Sequence, residues 1–352
     1  MFSYLNNPAL IFITMGEDIS INRNYAIDYF KGLLVIGMIY THVLQFFSDP
    51  AIFDSVEIIT QFFNLVTFSG FIFCFGYVNQ LVYYRKSFAN VYRRMLVASI
   101  KTLLAFYISG IAFQIFVANE SLTWKTIYPV LLLEVIPGWS EFLLSFSMIL
   151  FMGILLFPFI KWMIEKPSIF LIITGLLLIS TKMDYGLIDT PQLGLLIGTD
   201  LFPTFPVIQY FPFYIIGIYF ARYSIRFNWK ILISSVIGTL IFLVFLIINH
   251  FQLPERFPPS IYWILGSTFF IYMYFLIVKW LEFHFNDISW LRKIGENALL
   301  FLILSNLSIF ALVSSLTSWI VSPSNGFLIT IFIISLVFYL INITKNSPRP
   351  ES

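Results

Sequence analysis

The sequence predicts an all-α, polytopic membrane protein with about ten transmembrane helices and both termini in the cytoplasm. Apolar residues make up 59% of the 352-residue chain, whereas charged residues make up only 11%. Apolar runs of about twenty residues, the length needed to cross a roughly 30 Å hydrocarbon core, recur from end to end. The third observation is that the basic residues concentrate on alternate loops.

Ten apolar segments are predicted to span the bilayer within one membrane domain, residues 24–345. The flanking pieces, 1–23 and 346–352, are predicted to be cytoplasmic. The fifth segment is short, and the Gly-, Pro- and Asp-rich stretch after it is predicted to be interfacial or partly re-entrant. In chain order the segments are centred on residues 30–48, 57–81, 95–118, 142–163, 168–181, 206–222, 231–249, 260–281, 297–318 and 326–344.

The charges between these segments support each boundary and an even number of spans. Of the 20 basic residues, only Lys125, Lys182 and Arg256 fall in the loops opposite to the termini. Cytoplasmic loops of multi-pass proteins carry an excess of Lys and Arg, and an odd number of spans would scramble this asymmetry. We therefore expect a multi-pass protein of the cell membrane. The loops expected in the cytoplasm carry, in order, Arg85, Lys86, Arg93, Arg94, Lys161, Lys166, Arg222, Arg226, Lys230, Lys279, Arg292 and Lys293.

Composition gives no support to nucleic-acid binding or to a metal site. The formal net charge is only +2, and no Lys/Arg cluster is interleaved with aromatic residues on a polar background. The lone Cys74 cannot form an intrachain disulfide. The three histidines are far apart in sequence with no carboxylate at ligand spacing, so no metal is expected.

The first segment carries polar residues on one face. Lys31 and His42 are eleven residues apart, which in a helix is about 1100°, or about 20° past three turns, with a rise of about 16 Å. Asp28 and Gln45 lie three residues outside this pair and fall on the same stripe. An ionisable residue inside a span is costly and usually faces a protein interior or a wet cavity. The alternatives are a structural, hydrogen-bonded His42 and a Lys31 that snorkels beside Asp28.

The same segment resembles a known signature. Ile27-Asp28-Tyr29-Phe30-Lys31-Gly32 followed by His42 is similar to the first helix of the integral membrane acyltransferases of family 3, where a basic residue and a His are separated by ten residues. The related heparan-α-glucosaminide N-acetyltransferases begin with a similar helix. The resemblance extends over most of the chain. Later stretches that agree are Phe71–Tyr77, Phe205–Arg222, Arg256–Ser260 and Gly295–Leu299.

One departure from the family lies in the ninth segment. Many relatives continue there into a Tyr and a His, but this chain reads Leu302-Ile303-Leu304-Ser305-Asn306. Any second histidine of the site is therefore missing, or replaced by Ser305 or Asn306.

The resemblance implies transfer of an acyl group, usually acetyl, from acyl-CoA to a hydroxyl of a carbohydrate or glycolipid. His42, Lys31 and Asp28 are the predicted catalytic residues. A sugar hydroxyl needs a general base at neutral pH, and neutral His42 is the natural one. Alternatively, His42 carries the acyl group as a transient acyl-imidazole. No cofactor is expected to be bound permanently, because acyl-CoA is a donor substrate.

Donor and acceptor are expected at opposite ends of this helix. Lys31, Arg93, Arg94 and Asn297 are predicted to hold acyl-CoA, with the cations on its phosphates. Arg93 and Arg94 have a plain alternative as topogenic charges at the headgroups.

Four residues are predicted to bind the acceptor: Arg256, Trp139, Glu141 and Tyr77. Arg256 precedes the stiff Phe257-Pro258-Pro259 sequence and is expected to bind an anionic acceptor, such as a lipid-diphosphate-linked sugar, or an acidic residue. Trp139 offers stacking and Glu141 offers hydrogen bonds, although anchoring at the bilayer interface explains a Trp equally well.

Two other function classes remain open. A transporter or flippase of a lipid-linked sugar also needs many spans, a polar cavity and aromatic walls, but it has no particular need for a lone His in register with a basic residue. A non-catalytic membrane scaffold needs no buried charge at all. The sequence therefore favours an acyltransferase, then a transporter, then a scaffold.

Overall fold

The computed structural model describes residues 25–285, 287–316 and 319–346, and no β-strand occurs in these ranges. The predicted N-terminal segment 1–23 and the tail beyond Asn346 lie outside the described residues. The α-helices are α1 Tyr25–Phe47, α2 Asp54–Asn79, α3 Phe88–Phe116, α4 Trp124–Leu131, α5 Glu141–Leu155, α6 Phe157–Ile164, α7 Pro167–Ile179, α8 Pro191–Ile197, α9 Val207–Arg222, α10 Trp229–Ile248, α11 Ile261–Gly266, α12 Thr268–His284, α13 Ser289–Glu296, α14 Ala298–Ser315 and α15 Pro323–Asn346.

Helix α1 is the centre of the bundle. It packs against α2, α12, α13, α14 and α15, and 67% of its apolar window is buried inside the protein. α13 approaches α1 at Gly295, where a Cβ atom would overlap the backbone carbonyl of Asp28. Most of the predicted catalytic helix is therefore buried by neighbouring helices.

The longest helix contact in the core joins α2 and α9. Gly76 of α2 faces the backbone of Tyr214, and Gly217 of α9 faces the backbone of Phe73. A Cβ atom at either glycine would overlap a main-chain carbonyl oxygen. Small residues at such crossings allow helix backbones in membranes to approach closely. Both glycines belong to stretches that carry the family resemblance. The close helix crossing explains why a residue without a side chain stands at each position.

Seven helices in the described part of the chain are long and apolar enough to cross a membrane. α5 and α6 form an eighth candidate together, bent by 78° at Leu156. α7 and α9 are helical where spans were predicted but have only 13 and 16 residues. The prediction of an all-helical, multi-pass membrane protein is confirmed, whereas ten spans and cytoplasmic termini stay predictions. The seven are Tyr25–Phe47, Asp54–Tyr84, Phe88–Phe116, Trp229–Ile248, Ile261–His284, Ala298–Ser315 and Pro323–Thr344.

The Gly-, Pro- and Asp-rich stretch after α7 folds into short turns and α8. Gln209 of α9 donates from Nε2 to the carbonyl of Ile197. Ser145 of α5 donates to the carbonyl of Phe205 at 2.7 Å. These bonds hold the end of the stretch against α5 and α9. As a result, Pro203 and Phe205 form part of a cavity wall beside α1.

Candidate active site

A cavity of about 260 Å³ opens beside the C-terminal half of α1, and we call it the His42 cavity. It brings His42 together with three predicted acceptor residues, Trp139, Glu141 and Arg256, although these are far apart in sequence. The wall between them is aromatic and includes Phe68, Phe71, Phe142, Phe146 and Phe205. Its other polar lining residues are Thr41, Gln45, Asn64 and Thr67.

One amide decides which nitrogen of His42 is reactive. The Nδ2 of Asn306 donates to the backbone carbonyl of Trp139 at 3.0 Å and to Ser109 Oγ at 3.1 Å. A carbonyl oxygen only accepts, so the amide nitrogen must face Trp139 and the amide oxygen must face His42. His42 Nδ1 lies 3.1 Å from that oxygen and is therefore the donor. The lone pair of the neutral imidazole is consequently at Nε2.

Trp139 braces this arrangement from the segment between α4 and α5. Its indole Nε1 donates to Gln45 Oε1 at 3.0 Å. Its ring packs on Phe46, with centroids 4.6 Å apart, and on Phe113 at 5.5 Å. The residue has a φ of 58°, a conformation that non-glycine residues adopt only when their surroundings hold them there. These contacts fix the carbonyl that orients Asn306.

A second cavity, of about 250 Å³, lies beside the N-terminal half of α1, and we call it the Lys31 cavity. Lys31 Nζ forms an ion pair with Asp28 at 2.8 Å. Asp28 itself is buried and does not appear among the described lining residues. Lys101 of α3 also lines this cavity. Its further polar lining residues are Asn79, Tyr83, Thr102 and Glu296.

The two cavities share the side chains of Phe71 and Phe146. These rings meet edge to face, with centroids 5.8 Å apart. Lys31 and His42 stand on opposite sides of this pair along one continuous helix, separated by an axial rise of about 16 Å. A substrate that reaches past the Phe71/Phe146 pair therefore contacts both cavities.

Arg256 projects from the loop between α10 and α11. Its guanidinium carbon lies 4.5 Å from the centroid of the Phe257 ring and 5.2 Å from that of Phe205. Burial lowers the pKa of Arg256, while Tyr210 and Glu141 act in the opposite direction. Guanidinium groups keep their proton throughout the physiological range, so this residue brings a positive charge to the His42 cavity.

Apart from the buried Asp28, four predicted site residues line neither cavity. Tyr77 is buried in the core between the rings of Phe73 and Phe275. Asn297 donates to the carbonyl of Lys293 at the end of α13, although both its neighbours line the Lys31 cavity. The other two, Arg93 and Arg94, are exposed at the start of α3.

Sequence reasoning missed two residues that the fold brings to the site: Lys101, which lines the Lys31 cavity, and Asn306, which contacts His42. Lys101 carried an available signal, because it is an ionisable residue inside a predicted span. Asn306 stood at a noticed departure from the family, but nothing in its sequence position indicated that its amide would contact His42. That contact joins residues 264 positions apart.

Comparison with known proteins assigns the chain to a family. Searches of curated proteins and of solved structures give no significant match. The acyltransferase domain of the acyltransferase 3 family matches residues 24–343. The match covers most of the chain, including α1 and every helix that lines the two cavities. The chain belongs to the acyltransferase 3 family.

Proposed function

We propose that the protein transfers an acyl group, most simply acetyl, from acyl-CoA to a hydroxyl of a carbohydrate or glycolipid, with His42 at the reaction point. Membership of the family supports acyl transfer by a membrane protein. The observation that carries the proposal is that His42, held in one tautomer by Asn306, lines a cavity that adjoins the Lys31 cavity. Neither a transporter nor a scaffold needs such a fixed imidazole.

The Lys31 cavity is the proposed site of the donor. Acyl-CoA carries several phosphates at one end and a thioester at the other. Positively charged side chains are therefore needed only at the end of the binding site that holds the phosphates. Lys31 and Lys101 supply them, and the ion pair with Asp28 holds Lys31 in place. The exposed Arg93 and Arg94 attract the phosphates from outside the cavity. The pantetheine arm extends past Phe71 and Phe146 and brings the thioester to His42.

His42 acts from Nε2, the nitrogen that carries the lone pair. It removes the proton of the acceptor hydroxyl, whose oxygen attacks the thioester carbonyl carbon. The tetrahedral intermediate then expels the CoA thiolate, which takes the proton back from the imidazolium. Throughout, His42 Nδ1 keeps its proton and donates it in the hydrogen bond to Asn306 Oδ1.

The acyl-imidazole route uses the same nitrogen as a nucleophile. The two routes differ when the acceptor is absent, since only the second leaves an acyl group on the protein. Purified protein is mixed with isotopically labelled acetyl-CoA alone, quenched and digested. Label on the peptide that contains His42 identifies the covalent route, and an unlabelled peptide identifies general base catalysis.

The proposal is tested with a His42→Gln variant. Removal of a general acid–base group lowers the rate by about 10²- to 10⁴-fold, so we expect consumption of acetyl-CoA with an acceptor extract to fall by that factor. The matched control is His284→Gln, because His284 is exposed and lines neither cavity. Membrane levels of both variants are measured alongside.

Full acyl transfer by His42→Gln contradicts the proposal. So does translocation of a lipid-linked sugar by a protein that consumes no acetyl-CoA, which identifies the transporter. Mass spectrometry of surface glycans and lipids with and without the protein identifies the acceptor.

A further inference from the structure

Arg256 is a charged side chain that forms no ion pair within the described structure, although Glu141 of the same cavity acts on its charge. It lies in a tight turn, where it forms an isolated bridge with Pro259 and where Ser260 donates its backbone N–H to the Glu255 carbonyl. Phe205, Phe257 and Trp263 surround the guanidinium with their rings at 4.5 to 6.0 Å. The turn and the rings hold the group in one direction.

The hydrogen-bonding capacity of this guanidinium is not used by its neighbours. Its Nε is buried and has no hydrogen-bond partner among the described residues. None of the ion pairs in the described ranges includes Arg256. A charge that is shielded from water and forms no ion pair destabilises the folded protein. Such a free-energy cost is tolerated where a bound ligand offsets it.

Glu141 is the carboxylate that lines the same cavity. Its Oε2 is also buried without a hydrogen-bond partner among the described residues, so Glu141 does not neutralise Arg256 by direct contact. The guanidinium therefore has one buried donor atom without a partner, Arg256 Nε, and the carboxylate has one such acceptor atom, Glu141 Oε2. A guanidinium matches an oxyanion in a two-bond geometry, and a carboxylate accepts hydrogen bonds from hydroxyls.

We propose that Arg256 binds an oxyanion of the acceptor substrate, so that the enzyme selects acidic acceptors, while Glu141 accepts hydrogen bonds from the hydroxyls of the same molecule. The inference rests on the proposed function, since it places the acceptor in the His42 cavity. The oxyanion has two chemical sources: the carboxylate of an acidic sugar, or a phosphate that links a sugar to a lipid. Both offer the same paired oxygens to the guanidinium.

Three probes separate charge from sugar recognition. They are methyl glucoside, which is neutral, methyl glucuronide, which carries a carboxylate, and glucose 1-phosphate. Binding to the full chain in nanodiscs of zwitterionic lipid is followed by the fluorescence of the tryptophans beside the cavity, Trp139 and Trp263, and by thermal stabilisation. Acetyl transfer from acetyl-CoA to each probe is measured in the same samples.

We expect the wild-type protein to bind at least one anionic probe about tenfold or more tightly than the neutral probe. Arg256→Gln abolishes this preference. Arg256→Lys keeps part of it, because the charge remains but the two-bond geometry is lost. The control Arg226→Gln, at an exposed arginine on the loop before α10, keeps the preference in full. The better anionic probe identifies the source of the oxyanion.

Equal affinity of the wild type for all three probes overturns the inference, and so does a preference that survives in Arg256→Gln. If Arg256→Gln fails to fold, the Arg256→Lys variant provides the test. An unchanged preference of Arg256→Lys for anionic probes rejects the two-bond contact. The proposed function fails separately. Arg256-dependent binding without any consumption of acetyl-CoA rejects acyl transfer alone, whereas His42-dependent transfer without a charge preference rejects only the role of Arg256.

Discussion

Asn306 shows how a neutral side chain sets the chemistry of a neighbour. Its amide contacts the carbonyl of Trp139, the hydroxyl of Ser109 and the imidazole of His42, and thus joins four segments of the chain. Because the carbonyl only accepts, the direction of every bond in this group follows. The reactive nitrogen of His42 is therefore determined by backbone geometry at Trp139.

Removal of the Asn306 amide is expected to slow transfer. In Asn306→Ala the imidazole loses its Nδ1 acceptor and samples both tautomers. A hydrogen bond of about 1.5 kcal/mol corresponds to about a tenfold loss in kcat. Asn306→Asp keeps an oxygen toward Nδ1 but loses the N–H that Asn306 donates to the Trp139 carbonyl, so it is expected to restore only part of the rate. Steady-state kinetics with acetyl-CoA measure both variants, and an Asn306→Ala enzyme with wild-type kcat contradicts the role.

The cations of the Lys31 cavity are expected to affect the donor rather than the acceptor. Charge-assisted hydrogen bonds contribute about 1.5–3 kcal/mol, so Lys101→Gln should raise KM for acetyl-CoA by about tenfold or more. The double variant Asp28→Asn/Lys31→Gln tests Lys31 without leaving the carboxylate unpaired. Lys230→Gln, at an exposed lysine that lines neither cavity, is the matched control. A rise in KM for the acceptor alone would assign these lysines to the other substrate.

At the scale of elements, α1 is one continuous helix that lines both cavities. Its surroundings are held by close helix crossings, which include α13 against α1 at Gly295 and α2 against α9 at Gly76 and Gly217. α2 carries Phe71, and α9 packs against the stretch that brings Phe205 to the cavity wall. Separation of these helices would therefore change the shape of the His42 cavity.

Enlargement of Gly217 is expected to disturb this crossing. The Cβ of Gly217→Ala overlaps the backbone carbonyl of Phe73, and overpacking of a tight contact costs at least about 1–3 kcal/mol. Gly175→Ala on α7 is the control, because nothing lies within 4 Å of its Cβ position. Thermal unfolding in detergent measures both. Equal stability of the two variants would show that α2 and α9 do not approach each other this closely at Gly217.

At the scale of the whole molecule, the cavities lie on two sides of one aromatic pair. Lys31 and Lys101 are on one side, and Glu141 and Arg256 are on the other. The positive-inside rule predicts that the first side faces the cytoplasm, where the proposed donor acyl-CoA is found. In the proposed orientation, acceptor and donor reach His42 from opposite faces of the membrane.

This orientation is tested by cysteine labelling in a Cys74→Ser background. Arg226→Cys and Gln252→Cys are exposed and flank α10, so an impermeant thiol reagent applied outside intact cells should label Gln252→Cys only. Epitope tags at both termini should be protected in intact cells if the number of spans is even and both termini are cytoplasmic. Labelling of both cysteines from one side, or one protected and one accessible terminus, contradicts the proposed topology.

The sequence by itself determined the helical membrane class, the segments that form helices, the family and the alignment of Lys31 with His42. Each of these depends on local quantities, namely apolar length, loop charge and helical period, which are visible in a single chain. The sequence also named His42, Trp139, Glu141 and Arg256 as site candidates, but it did not show that all four line one cavity.

Only the tertiary structure decided which side chains meet. Tyr77 and Asn297 belong to family-like stretches yet face the core and a helix end, because helix crossings rather than motifs set their direction. Asn306, Lys101 and the Phe71/Phe146 pair became part of the site through contacts between distant segments. Such contacts depend on how helices pack around α1, and no local pattern encodes which residue of one helix will meet which residue of another.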